Sequence, residues 1–208
     1  MSGNPVIIII DYGMGNIRSV VNKVNRAGYE AVVSYDPTII KNADKLILPG
    51  VGHFLNGMNR LRERNIIDIL NEMVLIEKVP ILGICLGMQL FSEFSEEGDA
   101  EGLGWLNART VKFSLNDIRH KVPHIGWNSI EQKKDSPLLN SIEDKRQFYF
   151  VHSFHVKCSN EEDILTTSEY GYEFVSSIQK DNIFGTQFHP EKSHEYGEQI
   201  IRNFLGMC

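Results

Sequence analysis

The sequence predicts an α/β fold: a central, mostly parallel sheet flanked by helices, with additional antiparallel strands in the second half of the chain. Three observations support this prediction. The first half contains continuous apolar runs, apolar residues recur at helical spacing between those runs, and shorter runs separated by polar turns follow from about Leu103. The composition, 42% hydrophobic and 23% charged over 208 residues, is ordinary for a globular protein. We expect one domain that spans residues 1–208.

The first half predicts strands that are buried on both faces and joined by helices. Its apolar runs are continuous rather than alternating, which is typical of parallel strands. They cover residues 6–10, 45–48 and 79–84. Asn16 is expected to cap a helix that carries an apolar face and ends near Gly28. Apolar residues again recur at helical spacing over residues 58–73. The apolar run at residues 79–84 leads through residues 83–87 into another helical segment.

The second half predicts antiparallel strands and a closing helix. Shorter apolar runs, bounded by polar or Gly-containing turns, lie at residues 110–113, 147–156 and 174–178. Residues 195–204 show helical spacing again. No repeat or linker interrupts the chain, so a single mixed α/β domain is expected.

Charge and cysteine content exclude several classes of protein. The formal net charge of −6 argues against binding to nucleic acid or to an anionic membrane, because either partner requires a basic surface. No apolar run reaches the roughly 20 residues of a membrane-spanning helix, and no signal-like segment opens the chain, so we expect a cytoplasmic protein. Cys85, Cys158 and Cys208 form no Cys-x-x-Cys pair, and neither a disulfide framework nor a zinc site is predicted.

The Gly-Ile-Cys-Leu-Gly motif at residues 83–87 is the clearest chemical signal. A nucleophile between two glycines at a strand-to-helix junction has the arrangement of a nucleophile elbow. In that geometry the Cys85 sulfur projects above the end of the sheet, and the N-terminus of the following helix favours its thiolate. The Leu86 backbone N–H then faces a developing oxyanion. The alternative is a buried, inert cysteine at the end of a strand.

A base for this thiol is offered by His189. Glu191 follows two residues later, and an extended backbone would put both side chains on the same side, where the carboxylate orients the imidazole. The alternative is a surface histidine at the end of a strand that Pro190 merely stops.

Two glycine-containing segments lead to opposite conclusions. The Pro-Gly-Val-Gly segment at residues 49–52 follows a buried strand, so it should reach the same sheet edge as Cys85, and a rotated peptide N–H there would be a second oxyanion donor. The alternative is an ordinary Gly-rich turn. The Gly-x-Gly of residues 11–16 is followed by Arg18 where a dinucleotide site needs a third glycine, so we reject such a site. The remaining histidines lack metal-ligand spacing, and neither a metal nor a cofactor is predicted.

The motifs together resemble those of class I glutamine amidotransferases, in order and spacing, across essentially the whole chain. They lie at residues 49–52, 83–89 and 188–193. Three further segments look like the glutaminase subunits of imidazole glycerol phosphate synthase, an enzyme of histidine biosynthesis: residues 11–16, 123–128 and 149–153. In this family a (β/α)8-barrel cyclase subunit is the partner in a heterodimer.

The resemblance implies roles for residues that pattern alone does not assign. It implies a catalytic triad of Cys85, His189 and Glu191, and oxyanion donors at Val51 or Gly52 and at Leu86. The residues that hold glutamine would be Gln89, Glu97 and Ser153. Near the partner, the ammonia exit would be formed by Tyr149 and Lys192 and the facing surface by Trp127 and Asn128. Phe154 departs from the tyrosine that many relatives carry, which removes a hydroxyl.

The activity that the resemblance implies is hydrolysis of glutamine to glutamate and ammonia. The cyclase subunit would use the ammonia to form imidazole glycerol phosphate and AICAR. Two alternatives remain open. Paralogues of similar sequence supply ammonia for amidine formation in surface-sugar biosynthesis. A non-catalytic interaction subunit is a further alternative, although the intact set of Cys85, His189 and Glu191 weighs against it.

Overall fold

Within residues 5–115 and 120–207, which the computed structural model describes, the central sheet contains eight strands. Its parallel strands are β1 (Ile7–Ile10), β2 (Ala31–Ser34), β3 (Lys45–Gly50), β4 (Ile81–Cys85) and β14 (Ile183–Thr186). They lie side by side in the order β2-β1-β3-β4-β14. The strands predicted at residues 6–10, 45–48 and 79–84 are confirmed, with ends that move by one or two residues.

The apolar runs are continuous because both faces of the sheet are covered. In β1, Ile8 and Ile10 pack into one buried cluster, while Ile7 and Ile9 pack into the cluster on the opposite face. Successive side chains of a strand point to opposite faces, so a strand inside two apolar layers has no position for a polar residue.

Helices connect the parallel strands. They are α1 (Ile17–Arg26), α2 (Pro37–Ile40), α3 (Phe54–Glu63) and α4 (Ile67–Asn71). The first helix begins where predicted, but the expected side-chain cap is wrong, because Asn16 stands at the N-cap without a capping hydrogen bond. Its backbone, at φ −87° and ψ 59°, departs from the extended conformation that directs an N-cap side chain to the first turn.

The helical pattern over residues 58–73 belongs to α3, to α4 and to a π-helical turn at Glu72–Ile76, rather than to one helix. The break lies at Asn65, whose φ of 53° is left-handed and ends α3. Apolar periodicity continues across this break because both helices cover the same face of the sheet.

Antiparallel strands extend the central sheet beyond β14. They are β13 (Glu173–Lys180), β12 (Ile164–Glu169) and β9 (Glu131–Gln132), in that order. The strand predicted at residues 174–178 is therefore confirmed as the middle of β13.

A second sheet and a two-stranded ribbon lie outside the central sheet. The second sheet has the order β11-β7-β5-β6, from β5 (Ser92–Ser95), β6 (Ala100–Glu101), β7 (Leu106–Lys112) and β11 (Phe154–Cys158). The ribbon pairs β8 (His124–Ser129) with β10 (Gln147–His152). The single strand predicted over residues 147–156 is wrong, because the chain changes sheets at Ser153. The antiparallel strands expected from about Leu103 are present, although β7 also pairs in parallel with β5 and β14 pairs in parallel with β4.

Two helices complete the elements that position the site. The short helix α5 (Leu86–Gln89) follows β4, and α6 (His194–Gly206) confirms the helix predicted at residues 195–204. No helix in the described ranges is long and apolar enough to cross a membrane. Cys208 lies outside the described residues.

Helix α6 packs closely on the turn that carries Glu191. A β-carbon added at Gly197 would lie 1.9 Å from the carbonyl oxygen of Pro190, far inside van der Waals contact. Gly206 of the same helix has room, since its nearest contact would be Tyr29 at 3.9 Å.

We expect Gly197→Ala to lower the free energy of unfolding by about 2 kcal/mol or more, because the helix must move away from the turn. Gly206→Ala is the matched control, and its stability should stay within about 0.5 kcal/mol of wild type. Urea denaturation measures both. Equal stability of the two variants would contradict the close packing at residue 197.

Candidate active site

The parallel register brings three strand ends to one level. Gly50 of β3 lies beside Cys85 of β4, and Ile84 of β4 lies beside Thr186 of β14. The residues that follow these strands therefore meet at the carboxyl edge of the sheet, where sites of open α/β folds gather. The Pro-Gly-Val-Gly segment reaches this edge as predicted.

Cys85 occupies a strained turn between β4 and α5. Its φ of 53° and ψ of −109° are rare for a residue with a side chain. Gly87 permits the turn, since a β-carbon there would lie 1.8 Å from the Leu48 carbonyl oxygen. The predicted elbow geometry is present, but the helix that follows spans only Leu86–Gln89, so its dipole is a smaller influence on the sulfur than the sequence suggested.

His189 and Glu191 form a buried pair. His189 Nδ1 and Glu191 Oε1 are 2.8 Å apart, and each side chain is 1% exposed. The predicted pairing is confirmed, but the extended backbone expected for it is wrong, because Glu191 lies in a 3-10 turn at Pro190–Lys192. The histidine is also held by its backbone, whose N–H donates to Tyr149 O at 2.9 Å and whose carbonyl accepts from Ser193 Oγ at 2.7 Å.

The electrostatics of His189 favour an imidazolium. Burial lowers its pKa, but the negative charge of Cys85, hydrogen bonding to Cys85 and the Glu191 carboxylate together outweigh burial and raise the pKa to about 10. Because Nδ1 is engaged by Glu191, Nε2 is the ring nitrogen left for the interaction with Cys85 and for chemistry. The arrangement fits a thiolate and imidazolium pair.

One cavity of about 500 Å³ collects most of the residues singled out from the sequence. It is lined by Val51, Gly52, Cys85, Leu86, Gln89, Glu97, Ser153, His189 and Lys192. Glu191 does not line it but lies behind His189. A cavity with a thiol, an imidazole and converging polar groups suits a small polar substrate.

The three residues predicted to hold the substrate differ in how they are fixed. Gln89 is buried, and its Nε2 donates to Phe154 O at 2.9 Å and to Gln187 Oε1 at 3.0 Å. Glu97 accepts from the Phe54 N–H at 2.8 Å and so is tied to the start of α3. Ser153 sits at the junction of β10 and β11. Their substrate contacts stay predictions.

The predicted oxyanion donors lie on two sides of Cys85. Leu86 is the first residue of α5, so its N–H belongs to the first-turn groups that lack an intrahelical partner. On the other side, Val51 is 39% exposed and Gly52 has a φ of 113°, which a residue with a side chain rarely adopts. The donor roles stay predictions.

The residues predicted for the partner surface and the ammonia exit split into two groups. Trp127 is 44% exposed, stacks on His194 with ring centroids 4.9 Å apart, and meets Tyr149 edge-on at 6.0 Å. Lys192 Nζ lies 5.7 Å from the Tyr149 ring. Asn128 follows Trp127 on β8 and so points to the opposite face, where its Nδ2 donates to Glu169 O at 2.8 Å. Contact with a partner stays a prediction for all four.

Three residues near the sulfur were missed by sequence reasoning. Tyr12 is fully buried, and burial, followed by the negative charge of Cys85, raises the pKa of its phenol well above the usual range. His152 lines the cavity, and burial lowers its pKa well below the usual value. Gln187 donates from Nε2 to Cys85 Sγ at 3.6 Å. Only their positions in the sequence could have indicated them. Tyr12 lies in the segment at residues 11–16, His152 precedes Ser153, and Gln187 precedes the Phe-His-Pro-Glu motif.

Among the described residues, no cluster of side chains is suited to a metal ion.

Comparison with known proteins gives consistent matches. Residues 8–208 match the family model "Glutamine amidotransferase class-I". An imidazole glycerol phosphate synthase subunit HisH 2 from Methanococcus maripaludis is 50% identical over 200 residues, which cover 96% of this chain and 98% of the relative. A subunit HisH 2 from Pseudomonas aeruginosa is 46% identical over 200 residues, with 96% and 98% covered.

Solved structures show the same fold at lower identity. A crystal structure of a glutamine amidotransferase aligns with a TM-score of 0.76 at 18% identity, covering 96% of this chain and 97% of that one. The structure of PurLQS from Thermotoga maritima aligns with a TM-score of 0.73 at 18% identity, covering 98% of each chain.

Replacing Cys85 with alanine is expected to lower the pKa of His189. The change removes the negative charge that favours the imidazolium, while the burial that opposes it remains. NMR titration of the ring nitrogens should give a value near 10 in wild type and a value at least about one unit lower in Cys85→Ala. Cys158→Ala is the control and should leave the titration unchanged. An identical titration in Cys85→Ala would refute the coupling of the two groups.

Proposed function

The chain belongs to the class-I glutamine amidotransferase family, and we propose that it is the glutaminase subunit of an imidazole glycerol phosphate synthase of histidine biosynthesis. It hydrolyses glutamine to glutamate and ammonia and passes the ammonia to a cyclase subunit. The observation that carries the proposal is the cavity lined by Cys85 and His189, with Glu191 hydrogen-bonded behind the imidazole. The two HisH relatives, 50% and 46% identical over nearly their full length, support the pathway.

The reaction begins from the thiolate and imidazolium pair. The Cys85 sulfur attacks the side-chain amide carbon of glutamine, and the amide oxygen takes the negative charge. His189 donates its Nε2 proton to the leaving nitrogen, the C–N bond breaks, and ammonia departs from a γ-glutamyl thioester. Neutral His189 then accepts a proton from water, whose oxygen attacks the thioester and releases glutamate. Glu191 keeps the imidazole in one tautomer and orientation through Nδ1 throughout.

The backbone around Cys85 is proposed to stabilise the tetrahedral intermediates. The Leu86 N–H donates to the oxyanion from one side, and the N–H of Val51 or Gly52 donates from the other. Gln89, Glu97 and Ser153 hold the amino-acid end of glutamine from their positions around the cavity. Each of these groups adds affinity or rate without taking part in bond making.

A partner is proposed to cover the surface where ammonia leaves. The stacked rings of Trp127 and His194, together with Tyr149 and Lys192, offer an exposed aromatic and cationic surface next to the cavity. Its occupant is a (β/α)8-barrel cyclase subunit in a heterodimer that works in the cytoplasm. Ammonia then travels between two active sites without release into solvent.

Cys85→Ala is expected to reduce glutamine hydrolysis at least about 1,000-fold, because no other group replaces the nucleophile. Cys158→Ala should retain wild-type activity. Burial, followed by the charge of Asp163, raises the pKa of the Cys158 thiol to about 12, so it stays protonated and inert. Steady-state release of glutamate by each variant, with the cyclase present, measures the difference. Substantial turnover by Cys85→Ala would end the assignment.

The purified chain alone is expected to hydrolyse glutamine slowly and to gain about 100- to 1,000-fold with cyclase and its acceptor ligand. A peptide flip in the Pro-Gly-Val-Gly segment that supplies a missing oxyanion donor is large enough to account for this gain. The assay compares the chain alone, with cyclase, and with cyclase plus ligand, and an unrelated (β/α)8-barrel protein is the control.

Two results would count against parts of this proposal. Full activity of the isolated chain would contradict the coupling while leaving the glutaminase reaction intact. Glutaminase activity that never responds to the histidine-pathway cyclase would favour the alternative in which the ammonia is used in surface-sugar biosynthesis.

A further inference from the structure

Gln187 lies beside the nucleophile because of strand register. Thr186, the last residue of β14, pairs with Ile84 of β4, so Gln187, which follows β14, comes to the level of Cys85. The Gln187 side chain is fully buried and does not line the cavity. Burying an amide is costly unless its polar atoms are hydrogen-bonded, so a specific set of partners must hold it there.

A chain of hydrogen bonds fixes which way this amide faces. Gln89 Nε2 donates to the backbone carbonyl of Phe154 at 2.9 Å, and a carbonyl can only accept. The same nitrogen donates to Gln187 Oε1 at 3.0 Å. Gln187 Nε2 must then face the other way, where it lies 3.6 Å from Cys85 Sγ. Reversing either amide would bring two acceptors or two donors together.

We propose that Gln187 is the hydrogen-bond donor that holds the Cys85 thiolate, and that it links the sulfur to Gln89. The contact with Cys85 rests on geometry alone, whereas the meaning of the link to Gln89 rests on the proposed function. A thiolate accepts an N–H bond more strongly than a thiol does, so the donor favours the reactive form and fixes the direction of the sulfur.

The link also decides how Gln89 meets a ligand. Both hydrogens of its Nε2 are used, one by Phe154 and one by Gln187. Its Oε1 is therefore the amide atom left for the cavity, and it accepts a hydrogen bond from an ammonium or amide group of the substrate. A substrate that hydrogen-bonds to Gln89 is thereby coupled to Gln187, the hydrogen-bond donor to Cys85.

The test is the pH dependence of Cys85 alkylation by iodoacetamide in the full chain, which requires no glutamine. Gln187→Met keeps the side-chain volume and removes the donor, so the pH midpoint of alkylation should rise by about one unit and the rate constant at pH 7 should fall about tenfold. Gln187→Glu keeps an acceptor for Gln89 but removes the donor and adds negative charge, so its midpoint should rise further.

Gln132→Met is the matched control. It removes another amide, whose Nε2 donates to Ile142 O at 2.7 Å on the edge strand β9, and it should leave the alkylation profile unchanged. An unchanged profile in a folded Gln187→Met protein would overturn the proposal. If that variant does not fold, the side-chain amide signal of Gln187 in wild-type NMR spectra decides, because it should shift as Cys85 ionises and stay constant if no hydrogen bond exists.

The two hypotheses fail separately. A shifted alkylation profile in Gln187→Met, together with a wild-type chain that hydrolyses no glutamine even with cyclase, would reject the proposed function and keep the role of Gln187. Normal glutamine hydrolysis by the wild-type chain, with an unshifted alkylation profile in Gln187→Met, would reject the role of Gln187 and keep the proposed function.

Discussion

The parallel register of β3, β4 and β14 ends these strands at the same edge of the sheet, and the rest of the site depends on this constraint. Parallel pairing fixes Gly50 beside Cys85 and Thr186 beside Ile84, so the glycine loop, the nucleophile and the histidine segment emerge together. A slip of one residue in β14 would turn its side chains to the opposite face and separate His189 from the Cys85 sulfur. Apolar layers on both faces of the sheet prevent that slip, because it would bring apolar residues out of their clusters.

Burial alone does not decide the charge of a histidine in this protein. Burial lowers the pKa of His124 to about 4, helped by the charge of His120, and it also lowers the pKa of His152 and His155. His189 is as deeply buried, yet its pKa rises, because Cys85 and Glu191 supply negative charge on both sides of the ring. The neutral His152 therefore lines the same cavity as His189, which keeps its charge.

The sequence predicted the elements with strong, local signals and missed those that depend on distant partners. The strands at residues 45–48 and 79–84 were correct because double-sided burial leaves a continuous apolar run. The division of residues 147–156 at Ser153 was not visible, since the choice of sheet depends on whether β7 or β8 is the neighbour. Glu191 was paired with His189 for the wrong backbone reason, because a 3-10 turn and an extended segment both bring these residues together. The position of Gln187 before the Phe-His-Pro-Glu motif was its sole signal, because its contact with Cys85 comes from register across 102 residues of chain.

That separation along the chain has a consequence for synthesis. The pairing of β4 with β14 is strongly non-local, and contacts of this kind form late because a long loop must close first. A nascent chain on the ribosome exposes Cys85 well before the histidine turn has been translated, so no fragment that ends before β14 contains both nucleophile and base. The central strand β4 also lacks a neighbour on one edge until then, which makes the incomplete chain prone to aggregation. Truncated products are therefore expected to be cleared as unfolded chains rather than to accumulate as hydrolases that release ammonia without a partner.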